Sequence, residues 1–250
     1  IKGGIKFNHL SFAYPDDPET LVLDDITFEI KPGETVGIIG KIGCGKSTLV
    51  NMLFRLYNIK ENSLQIDNYD IMKLPIKLVR DNIGYAPQDN FLFSDTIRNN
   101  ISFANANLTD EDVAFAAEFS AVRDNIEGFE EKYQTMIGER GVTLSGGQKQ
   151  RISISRAIVK DPAILVLDDS VSAVDIKTEE TILSNIKKIR KNKTTILIAS
   201  RVSTVEKLDK VLVLKDGKVE FFGTNKECME NSPTYKRMVE LQTLENELEG

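Results

Sequence analysis

The chain has 250 residues, 41% of them hydrophobic and 28% charged, which suits one large α/β domain or two small ones of ordinary globular composition. A net charge of −6 excludes a broad nucleic-acid-binding surface, which needs a basic stripe, and leaves room for no more than a small local patch. No run of about 18 apolar residues occurs, so no segment reads as a membrane-spanning helix, and the two cysteines, Cys44 and Cys228, make no disulfide framework.

The first residues, Ile1-Lys2-Gly3-Gly4, are not a signal peptide and carry no initiator Met, so a fragment or processed form is expected. Ile5 to Phe12 alternates on one face at Ile5 and Phe7 and shifts near Asn8, which predicts a strand with a bulge. The single histidine, His9, cannot build a metal cluster and is expected on that strand's surface. Tyr14-Pro15-Asp16-Asp17-Pro18 is a turn cluster. Position alone leaves Tyr14 open between a ring that stacks on an adenine and an ordinary rim tyrosine. Leu21 to Ile30 reads as antiparallel strand, and Lys31-Pro32-Gly33-Glu34 as a tight turn.

Thr35-Val36-Gly37-Ile38-Ile39 is a short apolar run rich in β-branched residues and predicts a buried strand. Gly40-Lys41-Ile42-Gly43-Cys44-Gly45-Lys46-Ser47, then Thr48, fits G-x-x-x-x-G-K-[ST], and Thr48 to Leu56 has helical spacing of apolar residues. Strand, glycine loop and helix together make a phosphate site. The glycines let backbone approach phosphate oxygens, and the N–H groups and dipole of the helix start favour an anion. Lys46 would bridge the β- and γ-phosphates, and the Ser47 hydroxyl would take a place on Mg²⁺.

Ser63 to Ile71 reads as a hairpin, Ile76 to Asp81 as a short helix and Ile83 to Ala86 as a strand ended by Pro87. Gln88 then stands at a strand's end, where open α/β sheets place ligand groups. Residues 95–160 turn helical, with a start signal at Leu108-Thr109 before Asp110-Glu111-Asp112, and read as an insertion in the α/β core. Leu144-Ser145-Gly146-Gly147-Gln148 opens a helix predicted over Lys149 to Val159. Ser145 suits its N-cap; alone, this is a plain helix cap. Ile164-Leu165-Val166-Leu167-Asp168 is a continuous apolar run ending in an acid, a buried parallel strand whose carboxylate suits Mg²⁺ beside Ser47. Asp169 follows, then the polar loop Ser170 to Asp175 and a helix from about Thr178 to Arg190. Thr194 to Ala199 is another buried strand with Ser200-Arg201 past its end. Val211 to Leu214 and Lys218 to Phe222 form a hairpin around Asp216-Gly217. Pro233 to Gly250 reads as an acidic amphipathic helix with Met238, Leu241, Leu244 and Leu248, a packed or frayed end rather than a site.

In this order, the glycine loop, Gln88, Leu144 to Gln148 and the run into Asp168 resemble Walker A, Q loop, signature and Walker B of an ABC-transporter ATPase domain. Ser172-Ala173-Val174-Asp175 resembles its D loop. Tyr14 matches its adenine-stacking A-loop aromatic. Thr135-Met136-Ile137-Gly138-Glu139-Arg140-Gly141 resembles the exporter loop that senses the membrane domains. The resemblance covers nearly the whole chain. It implies an α/β fold: a P-loop NTPase (RecA-like) core with an antiparallel β subdomain (about 1–88 and 160–232), an inserted α-helical subdomain (about 89–159) and a C-terminal helix (about 233–250). It implies ATP and Mg²⁺ as cofactors, with Gln88 joining Ser47 and Asp168 at the metal, and a head-to-tail dimer with a second ATPase domain. In that dimer Ser145 and its glycines serve the partner's nucleotide. It further implies an upstream transmembrane domain, a place on the cytoplasmic face of the cell membrane, and closure and opening that drive export.

Two chemical positions depart from the family pattern. Asp169 stands where the family has Glu to orient or deprotonate the attacking water, and Ser200 stands where it has His against the γ-phosphate. Asp is shorter by one methylene, about 1.5 Å of bond length, while a base must come within about 2.6–3.2 Å of its proton or act through one water. A misplacement of about 1 Å can cost on the order of 100-fold. Ser200 can donate a hydrogen bond but cannot become cationic. A site that binds MgATP and cuts it slowly is therefore expected, with ordinary turnover as the competing reading. The intact signature points to a heterodimer whose other chain supplies the competent Walker residues. Two other classes are weighed. Chromosome-type ATPases split the Walker motifs with a long coiled coil, whereas about 120 residues without heptads separate Ser47 from Asp168; ribosome-type ones carry two cassettes. A regulatory module that holds ATP without turnover is the second class, and an ATPase assay separates it.

Overall fold

The computed structural model describes residues 1–105, 107–138 and 141–249, so Glu139 and Arg140 of the expected membrane-sensing loop lie outside the described residues. The chain opens with strands β1 (Ile5–Ala13) and β2 (Leu21–Ile30), then β3 (Thr35–Ile39) and helix α1 (Lys46–Leu53). A hairpin follows, β4 (Leu64–Ile66) and β5 (Tyr69–Asp70), then α2 (Ile76–Asp81) and β6 (Ile83–Ala86). The inserted segment carries α3 (Ile97–Ser102), α4 (Asp110–Phe119), α5 (Arg123–Glu127) and α6 (Gly146–Ile158). After it come β7 (Ile164–Asp168), α7 (Ile176–Ile189), β8 (Thr194–Ile198), α8 (Val202–Val205), β9 (Lys210–Lys215), β10 (Lys218–Gly223), α9 (Asn225–Asn231) and α10 (Pro233–Glu249).

Among the described residues the strands make two sheets, a four-stranded one in the order β2-β1-β4-β5 and a six-stranded one in the order β10-β9-β3-β8-β7-β6. The first sheet is antiparallel throughout. In the second, β9, β3, β8, β7 and β6 are parallel neighbours, and β10 closes an antiparallel edge on β9. The expected bulge exists: the β1–β2 register shifts between Phe7 and Leu10, and His9 sits there at φ 52. His9 is exposed, as expected, and its Nδ1 pairs with Asp25 at 2.6 Å.

The apolar runs read as buried strands are covered on both faces. Ile164 and Val166 of β7 face the core shared with the antiparallel sheet and α1, while Leu165 and Leu167 face the core under α4, α6 and α7. A third cluster, with Ile39, Val211, Val213, Cys228 and Tyr235, packs α8 to α10 beneath β3 and β9. The Asp216-Gly217 turn takes φ of 47 and 75, the positive pair that a two-residue hairpin needs.

Several boundaries move. The helix expected from Lys149 begins at Gly146, because Ser145 caps it with a full capping box: its Oγ accepts from Gln148 N at 3.2 Å, and its own N–H donates to Gln148 Oε1 at 2.9 Å. The helix expected from Thr178 begins at Ile176, capped by Asp175 on Thr178 N. Helix α10, expected as a packed or frayed end, is packed at its start and exposed beyond it. Tyr235 is fully buried and Met238 is partly so, but Leu241, Leu244 and Leu248 are 44%, 53% and 87% exposed. The inserted segment is not wholly helical: Thr96 bridges Met136 and Ile137 bridges Val142, which holds part of the 135–142 loop against the start of α3.

Candidate nucleotide site

Parallel strands bring their carboxyl ends to one edge of a sheet, and here that edge collects the predicted groups. The strand order β3-β8-β7-β6 sets the glycine loop, Ser200, Asp168 with Asp169, and Gln88 side by side. Ile38, Ile198 and Asp168 share one register level, and Leu167 pairs with Ala86. With neighbouring strands about 4.8 Å apart, the loops past these ends line a single crevice.

The glycine loop folds as its residues require. A Cβ on Gly40 would come within 2.2 Å of Leu214 O, so the turn out of β3 admits no side chain there. Gly45 takes φ of 100 as the cap of α1, a left-handed conformation open to glycine. Lys41, Ile42 and Gly43 lie exposed at the rim, and Ile42 is 99% exposed. Cys44 is buried, and desolvation raises its thiol above the ordinary value; it is a packed thiol, free like Cys228. Lys46 Nζ donates to Gly40 O at 2.8 Å and to Lys41 O at 3.0 Å, so its charge is held over the loop.

Asp168 is 3% exposed. Burial pushes its carboxyl above the usual range, while the Ser47 and Tyr85 hydroxyls and the Lys46 charge pull it back. Tyr85 Oη donates to Asp168 Oδ2 at 3.3 Å. Asp169 is also raised, first by burial and then by the Asp168 charge, with Lys46 and Arg201 opposing. It sits at φ 48 with its N–H donating to Ile198 O at 3.0 Å. Ser47, Asp168, Asp169 and Lys46 are therefore one electrostatic unit. Ser200 and Gln88 are exposed beside it.

Tyr14 lies on the same side. Its hydroxyl and the Thr48 hydroxyl are 2.8 Å apart, and its ring meets Phe12 and Tyr57 edge to face at 5.2 and 5.5 Å. The half-buried ring thus reaches the first turn of α1, which links an aromatic platform to the phosphate loop.

The signature is elsewhere. Ser145 and Gly146 are exposed at the start of α6, Leu144 anchors them in the core, and among the described residues no hydrogen bond joins Leu144–Gln148 to Gly40–Thr48. Gly146 and Gly147 pack instead on Ala173 of the 172–175 loop. Two residues that the sequence reading passed over stand out. Gln150, 4% exposed, donates through Nε2 to Ser172 Oγ at 3.2 Å and accepts from Ala173 N at 2.9 Å. Gln242 of α10 accepts from Val202 N at 2.7 Å and donates to Ser203 Oγ at 2.9 Å, just past Ser200. The helix read as a packed or frayed end thus caps α8 beside the crevice. Neither residue carried a signal in the sequence, because the partners of each lie far along the chain.

A glycine loop between strand and helix, with an acid at the end of the neighbouring-but-one parallel strand, defines a P-loop nucleotide-binding domain. Residues 23–172 match the ABC transporter family, and the chain belongs to it. It is 42% identical over 241 residues to the mouse (Mus musculus) ATP-binding cassette sub-family B member 6, covering 96% of this chain and 28% of that protein. It is 43% identical over 248 residues to the "Probable multidrug resistance ABC transporter ATP-binding/permease protein YheI" of Bacillus subtilis, covering 99% of this chain and 42% of that one. Its fold superposes with a TM-score of 0.91 and 37% identity on the structure of a bacterial Atm1-family ABC exporter with ATP bound, over 96% of this chain and 42% of that one. The chain thus spans well under half the length of these relatives. It is the ATP-binding domain of an ABC transporter, and the solved structure that it resembles is that of an exporter.

Proposed function

We propose that this domain binds MgATP and powers export across a membrane by closing head to tail on a second ATPase domain. In this reading its own Walker site is slow and its signature completes a competent site on a different chain. The observation that carries the reading is the crevice itself: Lys46, Ser47 and Asp168 meet at one sheet edge, while the exposed Ser145–Gly146 helix start makes no hydrogen bond to them among the described residues.

The residues fit Mg²⁺. Among the described residues no group of three or more His, Cys, Asp or Glu side chains converges. The donors are one hydroxyl, Ser47, and one carboxylate, Asp168, the hard oxygen set that leaves room for phosphates and water. Bound there, Mg²⁺ would neutralise charge on the β- and γ-phosphate oxygens. Lys46 would exchange its two loop carbonyls for phosphate oxygens, and the N–H groups opening α1 would cradle them. Tyr14 would carry the adenine, and Gln88 would orient water at the metal. Asp169 would take the water's proton. Burial and the Asp168 charge strengthen Asp169 as a base without lengthening it. Ser200 would meet the γ-phosphate with a hydroxyl in place of an imidazole.

The surface for the membrane domain would be the aromatic rim beyond Gln88. Phe91 and Phe103 are 66% and 60% exposed, and Met136 and Val142 are 47% and 41% exposed. Of these, Phe91 and Val142 line a cavity of about 270 Å³ together with Leu92, Ile137 and Leu144, an apolar patch of the kind that marks a contact site. Such a partner would hold the domain on the cytoplasmic face.

Signature variants test the asymmetry in the assembled transporter. Gly146→Asp in this chain should lower ATP turnover at least 100-fold, whereas the equivalent change in the partner chain should cost much less. Equal losses from the two changes, or a transporter built of one chain type, would overturn the heterodimer.

A further inference from the structure

We infer that Gln150 is a positioning residue that ties the helix start serving a partner's nucleotide to the loop serving this chain's own. The inference rests on the head-to-tail reading above and adds to it a specific joint within one chain.

The geometry begins with α6. Gln150 lies one turn beyond Gly146 and Gly147, on the face that also carries Ser153, Ile154 and Ala157, all buried. An amide on that face costs free energy unless its polar atoms find partners. Gln150 finds them on one loop. Its Oε1 accepts from Ala173 N at 2.9 Å. Its Nε2 donates to Ser172 Oγ at 3.2 Å and, more weakly, to Asp169 O at 3.4 Å. Ser172 Oγ in turn donates to Asp169 O at 2.8 Å. The side chain therefore closes the turn from Asp169 to Ala173, the turn that sets Asp169 at φ 48.

The backbones are locked together as well. A Cβ on Gly147 would lie 3.0 Å from Ala173 O, so the helix start rests directly on this loop. A shift of the signature end of α6 must then carry Ala173, Ser172 and Asp169 with it, or break the amide's bonds. Packed elements joined this way move between discrete arrangements rather than bending. Engagement of a partner's phosphates by Ser145 would thus be felt at Asp169, and occupancy beside Asp169 would be felt at Ser145. Coupling free energy is reciprocal, so one joint serves both directions.

The test uses the full transporter in nanodiscs, with ATP turnover followed across ATP concentration. Gln150→Leu removes all three bonds at similar volume. It should lower kcat about tenfold, leave KM for ATP within about twofold and bring the Hill coefficient towards one. Gln150→Glu keeps the acceptor for Ala173 N but turns a buried carboxylate oxygen towards Asp169 O, so it should be at least as impaired as Leu. A merely structural role would lower the melting temperature without changing the Hill coefficient, or would leave Glu as active as the parent; either result overturns the inference, as does an unchanged kcat in a folded Leu variant. Should Gln150→Leu not assemble, Ser172→Ala decides: a reduced Hill coefficient supports the joint and an unchanged one overturns it. Gly146→Asp is the control. If it leaves turnover intact, the head-to-tail reading fails; if it abolishes turnover while the Gln150 variants do nothing, only the joint fails.

Discussion

Replacing Arg201 by Met should destabilise the domain well beyond what a surface ion pair contributes. Arg201 Nη2 donates to Glu179 Oε2 at 2.5 Å and to Val171 O at 3.3 Å. The Glu179 side chain is 8% accessible and that of Arg201 is 35% accessible. Exposed pairs contribute about 0–1 kcal/mol, and breaking a buried pair costs about 3–5 kcal/mol because a charge is left uncompensated. Glu179 keeps the Thr204 hydroxyl as a second donor, and a third of Arg201 stays in solvent. The cost therefore falls between the two regimes, at about 2 kcal/mol. For a domain of this size 1 kcal/mol moves the midpoint by about 2–4 °C, so Arg201→Met should lower it by about 4–8 °C. Thermal unfolding of the two single variants and the double variant, with Glu179→Gln as the second change, completes the cycle. Their effects should be non-additive by about 1–2 kcal/mol, since the double variant strands no charge. A drop below about 1 °C, or an additive cycle, would refute the account of this pair.

Tyr14 separates stacking from hydrogen bonding. Tyr14→Phe loses the 2.8 Å contact with Thr48 and should cost about 1 kcal/mol of stability with ATP affinity nearly unchanged. Tyr14→Ala should weaken ATP by about 1–3 kcal/mol, read by equilibrium titration; equal affinities for the two variants would remove the platform role. Asp168 and Asp169 give a pH signature. Their folded pKa values are raised by burial above the ordinary 3.8. The folded chain then holds more protons than the unfolded one, and stability falls as pH rises through those folded values. Asp168→Asn should flatten that fall and raise the nucleotide-free melting temperature at pH 8, while abolishing the extra stabilisation by MgATP. A pH series of melts with the same slope as the parent would contradict the assignment.

Much of this was legible because the informative residues act locally. The runs Thr35–Ile39, Ile83–Ala86 and Ile164–Asp168 become strands over those spans, since a strand covered on both faces leaves an uninterrupted apolar run. Ser145 announced its cap, and Asp216-Gly217 its hairpin. The glycine loop and Asp168 could be paired because parallel strands end at one edge. What stayed hidden depends on long-range placement. Gln150 reads as one more polar residue among Gln148, Lys149 and Arg151 until α6 is laid on the 169–173 turn. Gln242 meets Val202 across 40 positions of sequence. The periodicity of Met238, Leu241, Leu244 and Leu248 left open a packed or a frayed end; the helix runs past the core after its first turns, and the later leucines stay exposed. Helix starts at Gly146 and Ile176 were set two or three residues late, because glycines and a polar loop residue mask the first turn that a cap has already fixed.

The central claim is that this crevice holds MgATP but cuts it slowly because Asp169 is short and Ser200 is neutral. Single-turnover cleavage of labelled ATP at this site in the assembled transporter tests it most directly, comparing the parent with the Asp169→Glu/Ser200→His double variant. The account predicts that the parent retains uncleaved ATP through many turnovers of the partner site, and that the double variant cleaves it about 100-fold faster. Equal cleavage rates in parent and double variant would contradict it.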